Sequence, residues 1–259
     1  MSIEKEEKKF IQLREVIRTK SPKLAKWIPR PLLKYLTRTI HEDDINDIMY
    51  RFRDLKGLDF VEALIQDVGV EVVIEGEENI PLTDSVIFAS NHPLGGLDGI
   101  AFMEAIGRYR KDVKFIVNDF LMNIVNLEPL FIGVNKVGGQ SKTAISAVDE
   151  AFADDHALLV FPAGLVSRKI NGEIVDLEWK KSFINKAKKY KKDIVPVYIE
   201  GKNSNFFYNL SRWRNKLGVK FNLEMLYLVD EFFAQRGQRV TIKIGKRIPY
   251  TQFDTARNE

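Results

Sequence analysis

Val86-Ile87-Phe88-Ala89-Ser90-Asn91-His92-Pro93-Leu94-Gly95-Gly96-Leu97-Asp98-Gly99 passes from a short apolar run into a glycine-containing loop and then into an apolar stretch. The run over residues 86–90 predicts a short buried strand ending at Asn91, and residues 100–109 predict a helix behind the loop. Strand, loop and helix in that order form the repeating unit of open α/β sheets, which place their ligands at the carboxyl ends of the strands. The loop around His92 is therefore the first place to look for chemistry.

Outward from this unit the alternation continues. Residues 70–75 alternate in the strand period, and residues 113–117, 158–161, 194–199 and 240–244 are strand-like. Residues 141–153 and 181–189 are helix-like and lie between them. The expected fold class is α/β, a largely parallel mixed sheet flanked by helices, with an N-terminal amphipathic helical segment. Upstream, Phe10, Ile11, Leu13, Val16 and Ile17 fall on one face of a surface helix over residues 2–20. Two further short helices are expected from Ile45 to Leu55 and from Phe60 to Val68, the second capped by Asp59. The organisation that follows is a helical segment over residues 1–69 and an α/β domain over residues 70–259. The C-terminal part predicts a helix around residues 223–233 and an edge strand at 240–244 that complete this domain.

Composition narrows the functions. With 259 residues, 45% hydrophobic and 29% charged, the chain has the balance of a packed globular protein. It contains no cysteine, which removes disulfides and thiolate nucleophiles, and histidines at 41, 92 and 156 have no metal-ligand spacing. No metal is expected. The first thirty residues lack the pattern of a secretory signal, and no apolar run approaches the roughly 20 residues that cross a bilayer. Residues 18–38 carry seven Lys or Arg and no acid, interleaved with Trp27, Leu32, Leu33, Tyr35 and Leu36. Such a stretch suits the headgroup interface of an anionic membrane, although a helix packed on the domain with its lysines in water has the same composition. The expected location is peripheral, on the cytoplasmic face of the membrane.

His92 and Asp98 can form a pair in which the carboxylate fixes the imidazole tautomer and stabilises the imidazolium that appears when the ring takes a proton. The alternative is that His92 caps the helix and Asp98 faces water. No serine lies in a Gly-x-Ser-x-Gly elbow, so a covalent intermediate on serine is not expected.

The block Asn91-His92 to Asp98 resembles the first motif of the glycerolipid and lysophospholipid acyltransferases, and the remaining motifs follow in that family's order. Residues 131–136, Phe-Ile-Gly-Val-Asn-Lys, resemble the second motif, with Lys136 where an arginine is usual. Residues 160–168, Val-Phe-Pro-Ala-Gly-Leu-Val-Ser-Arg, resemble the third, with Ala163 in place of a glutamate. Residues 194–199 resemble the fourth, a strand around Pro196. Five residues separate His92 from Asp98, one more than the family spacing, and Gly95-Gly96 can absorb it.

The resemblance implies an O-acyltransferase that moves a fatty-acyl group from acyl-CoA or acyl-carrier protein to a lysolipid hydroxyl, with no resident cofactor. It implies His92 as general base and Asp98 as its support. Asn91, Lys136, Gly164, Ser167 and Arg168 are then substrate-binding candidates, Arg168 and Lys136 for an anionic group on the acceptor and the backbone near Gly164-Leu165 for the oxyanion. The altered third motif is similar to that of enzymes acylating lyso-aminolipids such as lyso-ornithine or lyso-glycine lipids. A non-catalytic lipid-binding protein remains an alternative. So does a nucleic-acid binder, for which residues 180–192 carry seven lysines with Trp179, Phe183 and Tyr190 among them. The helical spacing of Phe183, Ile184, Ala187 and Tyr190 points those side chains to the core, so no nucleic-acid partner is expected. Gly133 and Gly138 imitate a phosphate-binding loop, but Gly139 stands where lysine is required.

Overall fold

The structure is a computed structural model describing residues 10–20, 26–118, 121–134, 142–218 and 222–253. Four helices open the chain: α1 (Leu13–Lys20), α2 (Arg30–Thr39), α3 (Glu42–Arg51) and α4 (Leu58–Val68). Strand β1 (Glu71–Glu75) and strand β2 (Val86–Ser90) follow, then α5 (Leu97–Gly107), β3 (Val113–Asn118), β4 (Phe131–Val134), α6 (Lys142–Ala153) and β5 (Ala157–Val160). A hairpin of β6 (Arg168–Ile170) and β7 (Glu173–Val175) precedes α7 (Ser182–Tyr190), β8 (Asp193–Ile199), α8 (Asn205–Lys216), α9 (Leu228–Ala234) and β9 (Arg239–Ile244).

Seven strands make one sheet in the order β1-β9-β8-β2-β5-β3-β4. Every pairing is parallel except β8 with β9. This is the α/β, largely parallel mixed sheet expected from the sequence. One expectation is corrected: β9 is not an edge strand but lies between β1 and β8. Its buried Val240, Ile242 and Ile244 alternate with Arg239, Thr241 and Lys243, so one face packs inward while the backbone bonds on both sides.

The two faces of the sheet carry separate apolar clusters, and the central strand β2 feeds both. Val86 and Phe88 point to the cluster containing α3, α4 and α5, whereas Ile87 and Ala89 join Phe152, Leu158, Phe183, Ala187 and Ile194 beneath α6 and α7. All five β2 side chains are buried, as a strand covered by helices on both faces requires. The inward spacing of Phe183 and Ala187 puts α7 on the core, with Lys189 exposed and Lys186 half-buried against Asp149. Ile48 and Met49 of α3 and Phe60, Val61, Leu64, Ile65 and Val68 of α4 belong to the same cluster as the sheet. Residues 42–68 are thus part of the sheet's core, although they lie on the N-terminal side of the expected division at 69. Asp59 does not cap α4: the N-cap is Gly57, at φ 60°, and Asp59 sits in the first turn. Pro31 opens α2, where its missing N–H needs no partner. Among the described residues no helix is long and apolar enough to cross a membrane.

Candidate active site

Strands β8, β2 and β5 are adjacent and parallel, so their carboxyl ends open on one edge of the sheet. The segments leaving them, 200–204, 91–96 and 161–167, build the site. Topology places the first and third sequence motifs side by side, although some 70 residues separate them.

The extra residue between His92 and Asp98 does not part the pair. His92 Nδ1 lies 2.8 Å from Asp98 Oδ2, because the loop folds back through Gly95 at φ 88°, a conformation glycine adopts without strain. Leu228 fills the space beside Gly95, and a Cβ there would stand 2.7 Å from its Cδ2. Asp98 is wholly buried in the first turn of α5. Its Oδ2 accepts the backbone N–H groups of Leu94 at 2.8 Å and Gly95 at 3.1 Å, and its Oδ1 that of Gly99 at 2.9 Å. These donors satisfy the polar oxygens that burial takes out of water. Since Oδ2 is already an acceptor, the Nδ1 hydrogen points at it, and Nε2 is left with the lone pair. Phe161 at the end of β5 stacks on the imidazole, with ring centroids 4.1 Å apart at an interplanar angle of 18°.

Asp176, which no sequence motif marked, ties the two motifs together. Its Oδ1 accepts the His92 backbone N–H at 3.2 Å and the Ser167 hydroxyl at 2.6 Å, while Trp179 Nε1 donates to its Oδ2 at 2.9 Å. The Ser167 N–H in turn donates to the His92 carbonyl at 2.8 Å. Asp176 follows the β6–β7 hairpin, whose two-residue loop Asn171-Gly172 has φ 52° and 93°. An Asn-Gly pair of this kind is a strong local hairpin signal, and it was the one sequence clue to how residue 176 returns to the site.

The other expected site residues separate into groups. Ser167 is brought to His92. Asn91 does not face the opening: its amide donates to the Ile199 carbonyl at 2.9 Å and accepts the Ile199 N–H at 2.7 Å, clamping the end of β8 to β2. Gly164, at φ 66°, turns the chain, and its N–H donates to the Phe161 carbonyl at 3.0 Å, so it is not free for an oxyanion. Lys136 lies outside the described residues.

Arg168, a candidate for the acceptor's anionic group, is engaged within the protein. Its guanidinium donates to the Val166 and Ser167 carbonyls at 2.8 and 3.3 Å and to Glu224 Oε1 at 3.2 Å. It also covers the Phe207 ring at 5.5 Å. Glu224 is wholly buried and pairs with Arg214 at 2.8 Å as well. A buried carboxylate needs such partners, and the contribution to Arg168 comes from 56 residues further along the chain, beyond any local motif. Burial holds the Arg168 pKa below its usual value, with Glu224 opposing that effect.

A buried carboxylate, an oriented histidine and a stacked aromatic thus meet at the carboxyl edge of the sheet, a geometry suited to general-base chemistry. Among the described residues no cluster of histidine and carboxylate groups is arranged to hold a metal ion.

The chain is similar to known proteins along most of its length. The acyltransferase family profile matches residues 15–258. A lyso-glycine lipid O-acyltransferase of Bacteroides thetaiotaomicron is 45% identical over 249 residues, covering 96% of this chain and 92% of that protein. The protein of the same name from Phocaeicola vulgatus is 43% identical over 249 residues, covering 96% of this chain and 89% of its own length. A crystal structure of the 1-acyl-sn-glycerophosphate acyltransferase PlsC from Thermotoga maritima overlaps 85% of this chain and 87% of that one, with a TM-score of 0.47 and 17% identity, too distant a likeness to bear on function. With the family profile spanning nearly all of the chain and relatives this similar along their whole length, the chain belongs to the lysolipid acyltransferase family and is an O-acyltransferase.

Proposed function

We propose that this enzyme moves a fatty-acyl group from a thioester donor to the hydroxyl of a lyso-aminolipid, with a lyso-glycine lipid as the preferred acceptor and His92 as the general base. The observation that carries the mechanism is the 2.8 Å contact between His92 Nδ1 and the wholly buried Asp98. It leaves Nε2 to take the acceptor's proton as the hydroxyl oxygen attacks the thioester carbonyl. The tetrahedral intermediate then expels the thiolate, and the imidazolium returns the proton to that sulfur. Asp98 stabilises the imidazolium in between. With the Gly164 N–H engaged, the Leu165 N–H is our candidate donor to the oxyanion.

The acceptor assignment is supported by the two relatives, both of which are named for lyso-glycine lipid. We further propose that the protein works peripherally at the cytoplasmic face of an anionic membrane. The basic segment supplies that contact, with Trp27 84% exposed and Leu32 and Tyr35 of α2 also outside.

An acceptor screen tests the reading. Lyso-glycine lipid, lyso-ornithine lipid and lysophosphatidate are each offered with labelled acyl-CoA and with labelled acyl-carrier protein, and products are identified by mass. The diacylated glycine lipid is the expected product. Turnover of lysophosphatidate alone overturns the acceptor assignment, and the active donor is read from the same matrix.

A further inference from the structure

Helix α8 presents an apolar outer stripe that neither the fold nor the site uses. Phe206, Leu210, Trp213 and Leu217 recur at intervals of four, three and four residues and so lie on one face. Phe206 is 53% exposed, Trp213 61% and Leu217 72%, whereas the opposite face buries Phe207, Tyr208 and Ser211. A soluble domain has little reason to hold a tryptophan and a leucine this far into water on neighbouring turns.

The charged residues of the stripe's own helix have one sign. From Gly201 to Leu223 the chain has five Lys or Arg and no acid. Lys216 Nζ lies 5.8 Å over the Trp213 ring, and Arg212 is exposed on the same helix. Between α8 and the β6–β7 hairpin lies a groove of about 300 Å³ lined by Lys169, Asn209 and Arg212 among others, and Ile170 at the hairpin is exposed as well.

The stripe is also joined to α2. The phenol oxygens of Tyr35 and Tyr227 are 2.6 Å apart, and Tyr227 packs against Phe206 with ring centroids 4.9 Å apart. The exposed side chains of α2 and α8 therefore meet through Tyr227 into one surface.

We infer that the outer face of α8 is a second bilayer-contact surface, which inserts Trp213 and Leu217 at the headgroup boundary of an anionic membrane while Arg212 and Lys216 meet the lipid phosphates. This rests on the proposed peripheral membrane location and extends it from the N-terminal segment to a helix behind the fourth motif. Exposed aromatic and aliphatic side chains flanked by cations match an interface that is apolar inside and anionic outside. An acidic protein partner would satisfy the cations but would not need the deep apolar exposure. By adding a second helix to the contact made by α2, the surface would fix the sheet's orientation over the lipid rather than merely tether it.

The test uses the full chain and vesicles of phosphatidylcholine with or without phosphatidylglycerol. Trp213→Ala/Leu217→Ala is expected to lower the vesicle partition coefficient about tenfold, while acyl transfer to a detergent-dispersed acceptor is unchanged. Arg212→Glu/Lys216→Glu is expected to weaken binding to the anionic vesicles by at least about fivefold per charge and to leave the neutral ones little affected. In a Trp27→Phe background, which leaves Trp179 and Trp213, brominated lipid should quench a component of the fluorescence that is lost on adding Trp213→Phe. Unchanged partitioning of the Trp213/Leu217 variant, or no quenching assigned to Trp213, overturns the inference. Retained vesicle binding with a lower rate only when acyl-carrier protein is the donor also overturns it and assigns α8 to that acidic partner. Failure of the wild-type chain to acylate any lysolipid would overturn the proposed function but leave the vesicle result to stand or fall on its own.

Discussion

Asp176 Oδ1 accepts the backbone N–H of His92 at 3.2 Å, across 84 residues of sequence. The same oxygen holds the Ser167 hydroxyl, so one carboxylate fixes both the proposed base and the third motif. Asp176 is a positioning residue. Asp176→Ala is expected to lower kcat about tenfold or more with little change in acceptor KM, since it loosens the base without touching the substrate. Steady-state kinetics with the acceptor varied would show the split. A rise in KM at constant kcat would place Asp176 in acceptor binding instead.

His92→Ala and Asp98→Asn address the pair itself. The first removes the proposed base and should reduce turnover to background. The second keeps the volume but sets an amide against the N–H groups of Leu94 and Gly95 and removes the charge that supports an imidazolium. We expect a loss of about 10²–10⁴ in kcat, the range that general acid–base catalysis supplies. Circular dichroism on both variants shows whether the fold persists, and wild-type turnover in folded His92→Ala would end the mechanism.

Arg168→Lys separates an internal brace from an acceptor ligand. Lysine cannot reproduce the fork that reaches two carbonyls and Glu224 together, so the variant should lose about 1–3 kcal/mol of stability. Chemical denaturation measures it. Glu224→Gln should show a loss of similar size, and the double variant should lose less than the sum because the two residues share one interaction. An acceptor KM that rises without any loss of stability would restore the binding role.

Gly95→Ala tests how the longer loop is accommodated. At φ 88° and with Leu228 Cδ2 2.7 Å from the position of a Cβ, alanine is strained twice. A destabilisation of about 1–3 kcal/mol is expected, together with a lower kcat because the turn sets the His92 to Asp98 contact. A thermal melt beside an activity assay decides it. Unaltered activity would mean that the turn can shift without parting the pair.

What the sequence by itself determined was local. The apolar run at 86–90, the glycine turn and the apolar helix beyond it carry their own periodicities, and the order of strands and helices follows from such runs. Hence the sheet and the loop of His92 were legible without coordinates, whereas the pairing with Asp98 six residues on was one of two readings until the fold of the loop decided it. The partners that complete the site were not. Asp176 meets His92, Glu224 meets Arg168 and Tyr227 meets Tyr35 over 84, 56 and 192 residues. No residue periodicity encodes which distant loop arrives beside a given strand. The same holds for β9, whose alternation announces a strand but not that it lies inside the sheet. Strand neighbours are chosen by the burial of whole faces and by satisfaction of every backbone group along the ladder. Those are properties of the assembled sheet, so only the tertiary structure decided which side chains became the supports of the site and which, like Trp213, were left facing outward.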